Sequence, residues 1–359
     1  MNPGSRACLE ALGRFFTEHH SVLEWGVAPA RPGPNAERLR NWVGEGYHGS
    51  LGYMAERLRE REDPKAYLPW AESAVMFAFP YGAPLGAGTG PYQVSAYARA
   101  GDYHAAGRAL LREVEDFLRM ETGLGEILFR GFVDTAPVFE RDLASEAGIG
   151  WRGKNCCTLN RKHGSAFHLA GFFLDIPLAA SAPVEDFCGG CTRCLDACPT
   201  GAFVAPGRLD SAKCISYWTI EAKGEVPSGL SGNFGGWIFG CDICQEVCPW
   251  NRKPKLAAAG AFEARRPGTD AAWPQDGTAW LSLLRKGGGF QSRFKGSAIL
   301  RAGRKAMLRN LAIAAGNLSD TSMREPLSAA LSDEDDPALA AELKRTIQRL
   351  SDSETARGG

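Results

Sequence analysis

Cys188-Gly-Gly-Cys191-Thr-Arg-Cys194-Leu-Asp-Ala-Cys198-Pro199 is the stretch on which the fold turns, and Cys241-Asp-Ile-Cys244-Gln-Glu-Val-Cys248-Pro249 echoes it fifty residues later. Three cysteines at two-residue gaps wrap their sulfurs around one face of an iron–sulfur cube. A fourth, followed by proline, turns toward a second cube. Only Cys188 lacks a mate, because its counterpart is Ile238, and Cys214 between the two halves is the replacement. The spacing assigns Cys188, Cys191, Cys194 and Cys248 to one [4Fe–4S] cluster, and Cys198, Cys214, Cys241 and Cys244 to the other. Zinc sites usually present separated Cys-x2-Cys pairs, and disulfides need an oxidising compartment. Neither fits the triple spacing. Cys8, Cys156 and Cys157 are left as thiols with no ligand role.

Outward from this ladder the bulk properties set bounds. The 359 residues are enough for two or three domains. Lys plus Arg (41) equals Asp plus Glu (41), so no global charge draws the chain to nucleic acid or membrane. Arg6, Glu10, Arg14 and Glu18 interrupt the first twenty residues, which argues against a signal peptide. The longest apolar stretch, 166–180, contains His168, Asp175 and Pro177 and is too short to span a bilayer. A soluble, reducing, cytoplasmic setting is expected.

Residues 1–180 read as alternating helix and strand. Helices are expected over 6–19, over 103–120 behind an Asp102 cap, and over 139–147. Strands are expected at Ala74–Phe79, at Glu126–Val133, which delivers Asp134 at its end, and at Phe167–Leu174. Alternation implies an α/β (α+β) domain with chemistry near the carboxyl edges of the strands. Residues 181–255 form a ferredoxin-like two-cluster domain, and 256–359 a linker and helical domain, with a Pro- and Gly-rich connection from Pro254 to Gly277. Between Pro249 and Asn310 thirteen Lys or Arg face three acids, a net charge of +10, whereas Ser319–Glu342 carries seven acids against Arg324. On a helix over 297–315, Arg301, Lys305 and Arg309 share one face, which points to a phosphate-backbone surface.

An electron relay needs a terminus where bonds change. No dinucleotide fingerprint follows a strand, and Gly86–Gly90 reads as a loop. Asp102-x-His104-x2-Gly107 matches a pattern of histidine-ligated cobalamin proteins, but the segment opens a helix and His104 reads as a polar helix-start residue. Asp134 has two readings. It is a turn or cap residue, or, desolvated in a cleft with a raised pKa, a proton donor.

Asp134-Thr-Ala-Pro-Val-Phe-Glu-Arg141, Gly148-Ile-Gly-Trp-Arg-Gly-Lys-Asn155 and Cys214-Ile-Ser-Tyr-Trp-Thr-Ile-Glu221, together with the cysteine ladder, resemble bacterial epoxyqueuosine reductases. So do Tyr97-Ala-Arg-Ala-Gly-Asp-Tyr-His104 and Phe294-Lys-Gly-Ser-Ala-Ile-Leu-Arg-Ala-Gly-Arg-Lys305. The resemblance implies reduction of epoxyqueuosine to queuosine at the tRNA wobble position, the last step of queuosine biosynthesis. It implies a cobalamin-binding domain over 1–180, fed by two [4Fe–4S] clusters from an electron donor of unknown identity. Asp134 resembles the family's proton donor. Cobalamin contacts are implied around Arg57, Tyr97, Asp134, Lys154, Asn155, Thr158, Ser216, Cys241 and Asp242, and a tRNA contact at Lys223. The resemblance further implies HEAT-like repeats in the tail and a monomer off the membrane. Two other readings stand beside it, a cobalamin-dependent reductive dehalogenase and a ferredoxin-like electron-transfer subunit.

Overall fold

In the computed structural model, which describes residues 3–86, 88, 90–123, 127–252 and 273–358, the apolar run around Val75 is the centre of a sheet. Strands β1 (Glu24–Pro29), β2 (Ser73–Pro80), β3 (Phe129–Phe132) and β4 (Phe167–Leu174) pair in the order β1-β2-β4-β3. Every pairing is antiparallel. This corrects the expectation drawn from helix–strand alternation: the domain is α+β, and the edge rule for parallel sheets does not govern it. All eight residues of β2 are buried, because the sheet is covered on both faces. Helices α1 (Pro3–Glu18) and α2 (Tyr103–Thr122) cover Val75, Phe77, Phe79 and Phe172. The alternate residues Ala74, Met76 and Ala78 face Leu143 and Ala144 of α3 (Glu140–Glu146). Burying one such Phe stabilises by about 2–3 kcal/mol, so this two-sided burial fixes the strand register. At Gly171 an added Cβ would meet Met76 Sδ at 2.6 Å and the Val75 carbonyl at 2.7 Å, so β4 can approach β2 there only without a side chain.

The two halves of the cysteine ladder form matching short helices, Arg193–Asp196 and Ile243–Glu246, packed on each other. The C-terminal helices are α4 (Gly277–Leu284), α5 (Gly303–Leu318), α6 (Arg324–Ser332) and α7 (Pro337–Gly358). Their core is not separate. Trp280, Phe294, Leu311 and Leu343 share one apolar cluster with Tyr92, Val94, Ile238 and Phe239. The strand Trp237–Phe239 that follows the first ladder half also pairs in parallel with Gln93–Val94 of the first domain. No described helix is long and apolar enough to cross a membrane. Most of the connection from Pro254 to Gly277 lies outside the described residues, as do Ala87, Thr89 and Glu126.

Two expectations about the basic stretch are overturned. The helix predicted over 297–315 begins at Gly303, whose φ of 77° turns the chain, so Arg301 sits on a preceding 3-10 turn and not in line with Lys305. Arg309 is only 4% exposed and is not a nucleic-acid contact. Its guanidinium donates to the carbonyls of Ala222 (3.2 Å) and Gly224 (2.7 Å) and to that of Trp218. Asn310 beside it donates to the Thr219 and Ile238 carbonyls, both at 2.9 Å. These two residues stitch α5 to the segment between the ladder halves, and burial lowers the Arg309 pKa to about 10. Arg309→Met removes the donor to these three carbonyls and to Asn310 Oδ1, and is expected to cost about 2–4 kcal/mol of stability in urea unfolding. An unchanged midpoint would show that water replaces the guanidinium.

The acidic run that follows the basic stretch folds back on it. Asp333 pairs with Arg285 (3.2 Å), Glu334 with Arg304 (2.8 Å), Asp335 with Lys286 (2.8 Å) and Asp336 with Lys305 (3.0 Å). Apart from Arg304–Glu334, where the Glu334 side chain is buried, these pairs are open to solvent and add little stability each, but together they cancel much of the stretch's positive charge. Lys253, Lys255, Arg265 and Arg266 lie outside the described residues.

Candidate active site and cysteine quartets

Where β3 ends, the chain turns through Asp134, which has φ 59°, in the left-handed region. Its carboxylate Oδ2 accepts from Tyr103 Oη (2.9 Å) and from His104 Nε2 (3.1 Å). The other ring nitrogen of His104 donates to Asp102 Oδ1 at 2.8 Å. Asp102 also caps α2 by accepting from the His104 amide at 2.9 Å. The capping position therefore places His104 between two carboxylates. The hydrogen bonds that it donates to Asp102 and then to Asp134 raise its pKa to about 9. With acceptors at both nitrogens, the ring is the imidazolium at neutral pH.

This arrangement corrects two sequence expectations. His104 is a member of the site, not merely a polar helix-start residue. Asp134 does not have a raised pKa. Partial burial pulls it upward, but the hydrogen bonds from His104 and Tyr103, with the positive charge of Arg301, outweigh that and leave it below the usual carboxylate range. The stored proton sits on His104. Tyr103 is fixed between two rings, His104 at 4.1 Å and His168 at 4.4 Å, and burial holds His168 neutral by lowering its pKa to about 3.

Tyr81, Tyr97, Tyr103, Asp134, Glu140, Arg141, Cys157, Thr158 and His168 line one cavity of about 240 Å³. A second, of about 380 Å³, shares Arg141 with it and is walled by Arg38, Trp42, Met54, Phe139, Arg152 and Cys156. Two buried polar atoms in these walls, Thr158 Oγ1 and Arg152 Nε, lack a hydrogen-bond partner. Orphaned donors lining a cavity of this size suit a large polar ligand.

The cavity brings together three of the expected contact residues, Tyr97, Asp134 and Thr158. Others face elsewhere. Lys154 Nζ donates to the Gly189 (2.7 Å) and Cys191 (3.0 Å) carbonyls, and Asn155 Nδ2 to the Cys244 carbonyl (3.2 Å), so both hold the cysteine ladder against the first domain. The Asp242 carboxylate is 1% exposed and accepts from Ser95 Oγ (2.5 Å) and the Ala96 amide (2.6 Å). Its side chain anchors the turn carrying Tyr97 and is not free for a ligand. Arg57 pairs with Glu60 at 3.1 Å, and neither it nor Ser216 lines this cavity. Arg301 forms a two-pronged pair with Glu221, and Lys223 Nζ donates to the Ala302 carbonyl at 3.0 Å.

The ladder thiols fall into two groups. Burial, then Cys248, Cys188 and Cys191, push the Cys194 thiol up to about 11. These four cysteines line a cavity of about 220 Å³ with Trp250 and Phe187. Cys241 is raised by burial and by Cys214 and Cys198, and Cys244 also neighbours Cys241 and Cys214. Four soft sulfur donors in a group are the donor set of an iron–sulfur cube, and the first group surrounds a cavity. Backbone and indole N–H groups already point at the sulfurs: Trp151 Nε1 at Cys188 Sγ and the Ala202 amide at Cys198 Sγ, both 3.4 Å. Sequence reasoning missed one neighbour. Cys157, assigned no role, hydrogen-bonds the Cys244 thiol and lines the cavity holding Asp134. Tyr103 and Glu140 lay inside quoted motifs but carried no separate signal.

With this geometry in hand, comparison with known proteins is informative. A family model described as a 4Fe-4S double cluster binding domain matches residues 187–251, and one described as epoxyqueuosine reductase QueG matches residues 61–135. An epoxyqueuosine reductase of Leadbetterella byssophila is 40% identical over 277 residues, covering 77% of this chain and 88% of that protein. A crystal structure of epoxyqueuosine reductase with an epoxyqueuosine-modified tRNA-Tyr stem loop superposes with a TM-score of 0.77 at 26% identity, over 97% of this chain and all of the other. The Bacillus subtilis epoxyqueuosine reductase, in a structure with its catalytic loop swung out of the active site, gives a TM-score of 0.78 at 27% identity, again over 97% and 100%.

Proposed function

This chain belongs to the epoxyqueuosine reductase family, and on that premise we propose that it reduces epoxyqueuosine to queuosine at the wobble position of tRNA anticodons. It is an oxidoreductase, and neither the dehalogenase nor the electron-transfer-subunit reading is retained. The observation that carries the reading is one cavity wall that holds both an Asp134–His104 proton pair and, through Cys157, a contact with ladder residue Cys244.

We read the two thiol groups as ligands of two [4Fe–4S] clusters, residues 1–180 as a cobalamin-binding domain, and the C-terminal helices as HEAT-like. Tyr97, Thr158 and the Arg141 wall between the cavities would hold the corrin, and Thr158 Oγ1 would gain the partner it lacks. Cobalamin, when bound, supplies the strongly reducing centre at which the epoxide carbon–oxygen bond is cleaved.

The chain's own residues supply placement and protons. As the epoxide oxygen gains negative charge, Asp134 Oδ2 passes it the proton stored on His104 Nε2, 3.1 Å away. Transfer runs from an imidazolium to a far more basic alkoxide and is downhill. Two electrons and two protons convert epoxide to alkene and water. Tyr103 keeps the carboxylate in line, and Asp102 holds the imidazolium from behind. Arg301, whose charge acts on Asp134, together with Lys223 and Lys305 would take tRNA phosphates by exchanging their present partners. The wobble nucleotide must leave its stack to enter the cavity.

The test is anaerobic purification with cobalamin, then incubation with epoxyqueuosine-containing tRNA and a chemical reductant, followed by nucleoside analysis. Queuosine should accumulate only when corrinoid and iron are both present. Conversion by corrinoid-free protein would remove cobalamin from the scheme.

A further inference from the structure

We propose that Glu140 is the positioning residue for Asp134: its Oε1 accepts the Asp134 N–H at 2.6 Å and holds the backbone in the one conformation that aims the carboxylate at His104 and Tyr103. The inference rests on the relay role given to Asp134 above.

Asp134 lies at φ 59°, where a residue with a Cβ is disfavoured, although aspartate tolerates it better than most. Such a conformation persists only when surrounding contacts impose it. The segment from Thr135 to Phe139 has contacts of its own, Thr135 N–H to the Val133 carbonyl (2.6 Å), Val138 N–H to the Ala136 carbonyl (2.8 Å) and Arg61 to the Ala136 carbonyl (3.3 Å), but none of these engages the Asp134 amide. Glu140, by contrast, opens α3, whose Leu143 and Ala144 are locked into the sheet core. One carboxyl oxygen thus ties the turn to the rigid sheet six residues on. Glu140 also lines the cavity, beside the Asp134 charge. Burial and then that charge raise its pKa to about 8, so near neutrality it is mainly the uncharged acid. The carbonyl oxygen of an uncharged acid accepts an amide N–H as an amide oxygen does, which makes glutamine a faithful substitute for this duty and for no other.

The test compares Glu140→Gln, Glu140→Ala and Glu140→Leu in reconstituted holoenzyme, with cluster and corrinoid content checked in each. Single-turnover rate on epoxyqueuosine tRNA and hydrogen exchange of the peptide containing residues 133–139 are read together. Glu140→Gln should stay within about threefold of wild type, with exchange unchanged. The Ala and Leu variants should lose about ten- to a hundredfold in rate, with tRNA KM little altered and exchange at 134–135 accelerated. Leu keeps the volume, so an Ala variant that fails to fold does not end the test. A Gln variant as impaired as Ala, with exchange still slow, would show that Glu140 acts through its proton and overturn the proposal. Wild-type rates and exchange in the Leu variant would do the same. The exchange readout does not depend on what Asp134 does chemically: full activity of Asp134→Asn would sink the relay while leaving the backbone tether standing.

Discussion

Asp134→Asn should retain both cluster spectra and corrinoid uptake and yet turn over at about a hundredth to a ten-thousandth of the wild-type rate. Asparagine keeps an oxygen that accepts from His104 and Tyr103, so the geometry survives, but it cannot take a proton from one side and release it on the other. Rates near wild type would remove Asp134 from the chemistry. The same pair sets a pH signature. His104 is raised to about 9 by Asp102 and Asp134, so turnover should fall as pH rises through that value and the relay empties. Stability follows the same sign. A histidine raised above its unfolded value near 6.5 contributes fully below that value and loses the contribution as pH climbs through about 9. The lowered carboxyls of Asp102 and Asp134 contribute above their ordinary 3.8 and lose it as pH falls below. The array is therefore best held between the two limits. A rate profile flat from pH 7 to 10 would mean that the proton comes from elsewhere.

Cys188→Ala and Cys214→Ala should each abolish turnover while damaging different clusters. Cys188 shares its cavity with Cys191, Cys194 and Cys248, and Cys214 neighbours Cys198, Cys241 and Cys244. On the proposed partition each substitution removes one of four ligands, so anaerobic iron content should drop from about eight to about four per chain. The surviving paramagnetic signal should differ between the two variants. Identical residual signals would show the ligand partition to be wrong. On the proposed relay, in which electrons pass through both clusters in series, loss of either one stops the reaction.

The sequence made the elements around the site legible wherever a periodic apolar pattern met a clear stop. The strand over Phe167–Leu174 appears with the expected limits, and the helix behind Asp102 starts where expected and runs two residues further, to Thr122. The antiparallel sheet was not legible, because alternation along a chain does not fix strand direction. The double-cluster domain over 187–251 was legible because cluster ligation constrains local spacing. The proton array was not. Asp102, His104 and Asp134 meet only when α2 folds over the end of β3, and no residue count across that gap encodes the distance. The basic face failed for a related reason. Helical projection from 297 to 315 presumed an unbroken helix, and Gly303 breaks it, while the neutralising acids arrive from a loop about thirty residues onward.

The apolar cluster joining Tyr92 and Val94 to Phe239, Trp280 and Leu343 has a further bearing on how this molecule can be divided. A fragment ending after Asn251 would expose the strand Trp237–Phe239 and strip Arg309 and Asn310 from the carbonyls they satisfy. The redox module cannot be excised as a freestanding electron carrier. Its foundations are poured in three separate stretches of chain, so recombination or truncation between them would forfeit the scaffold before it touched a single sulfur.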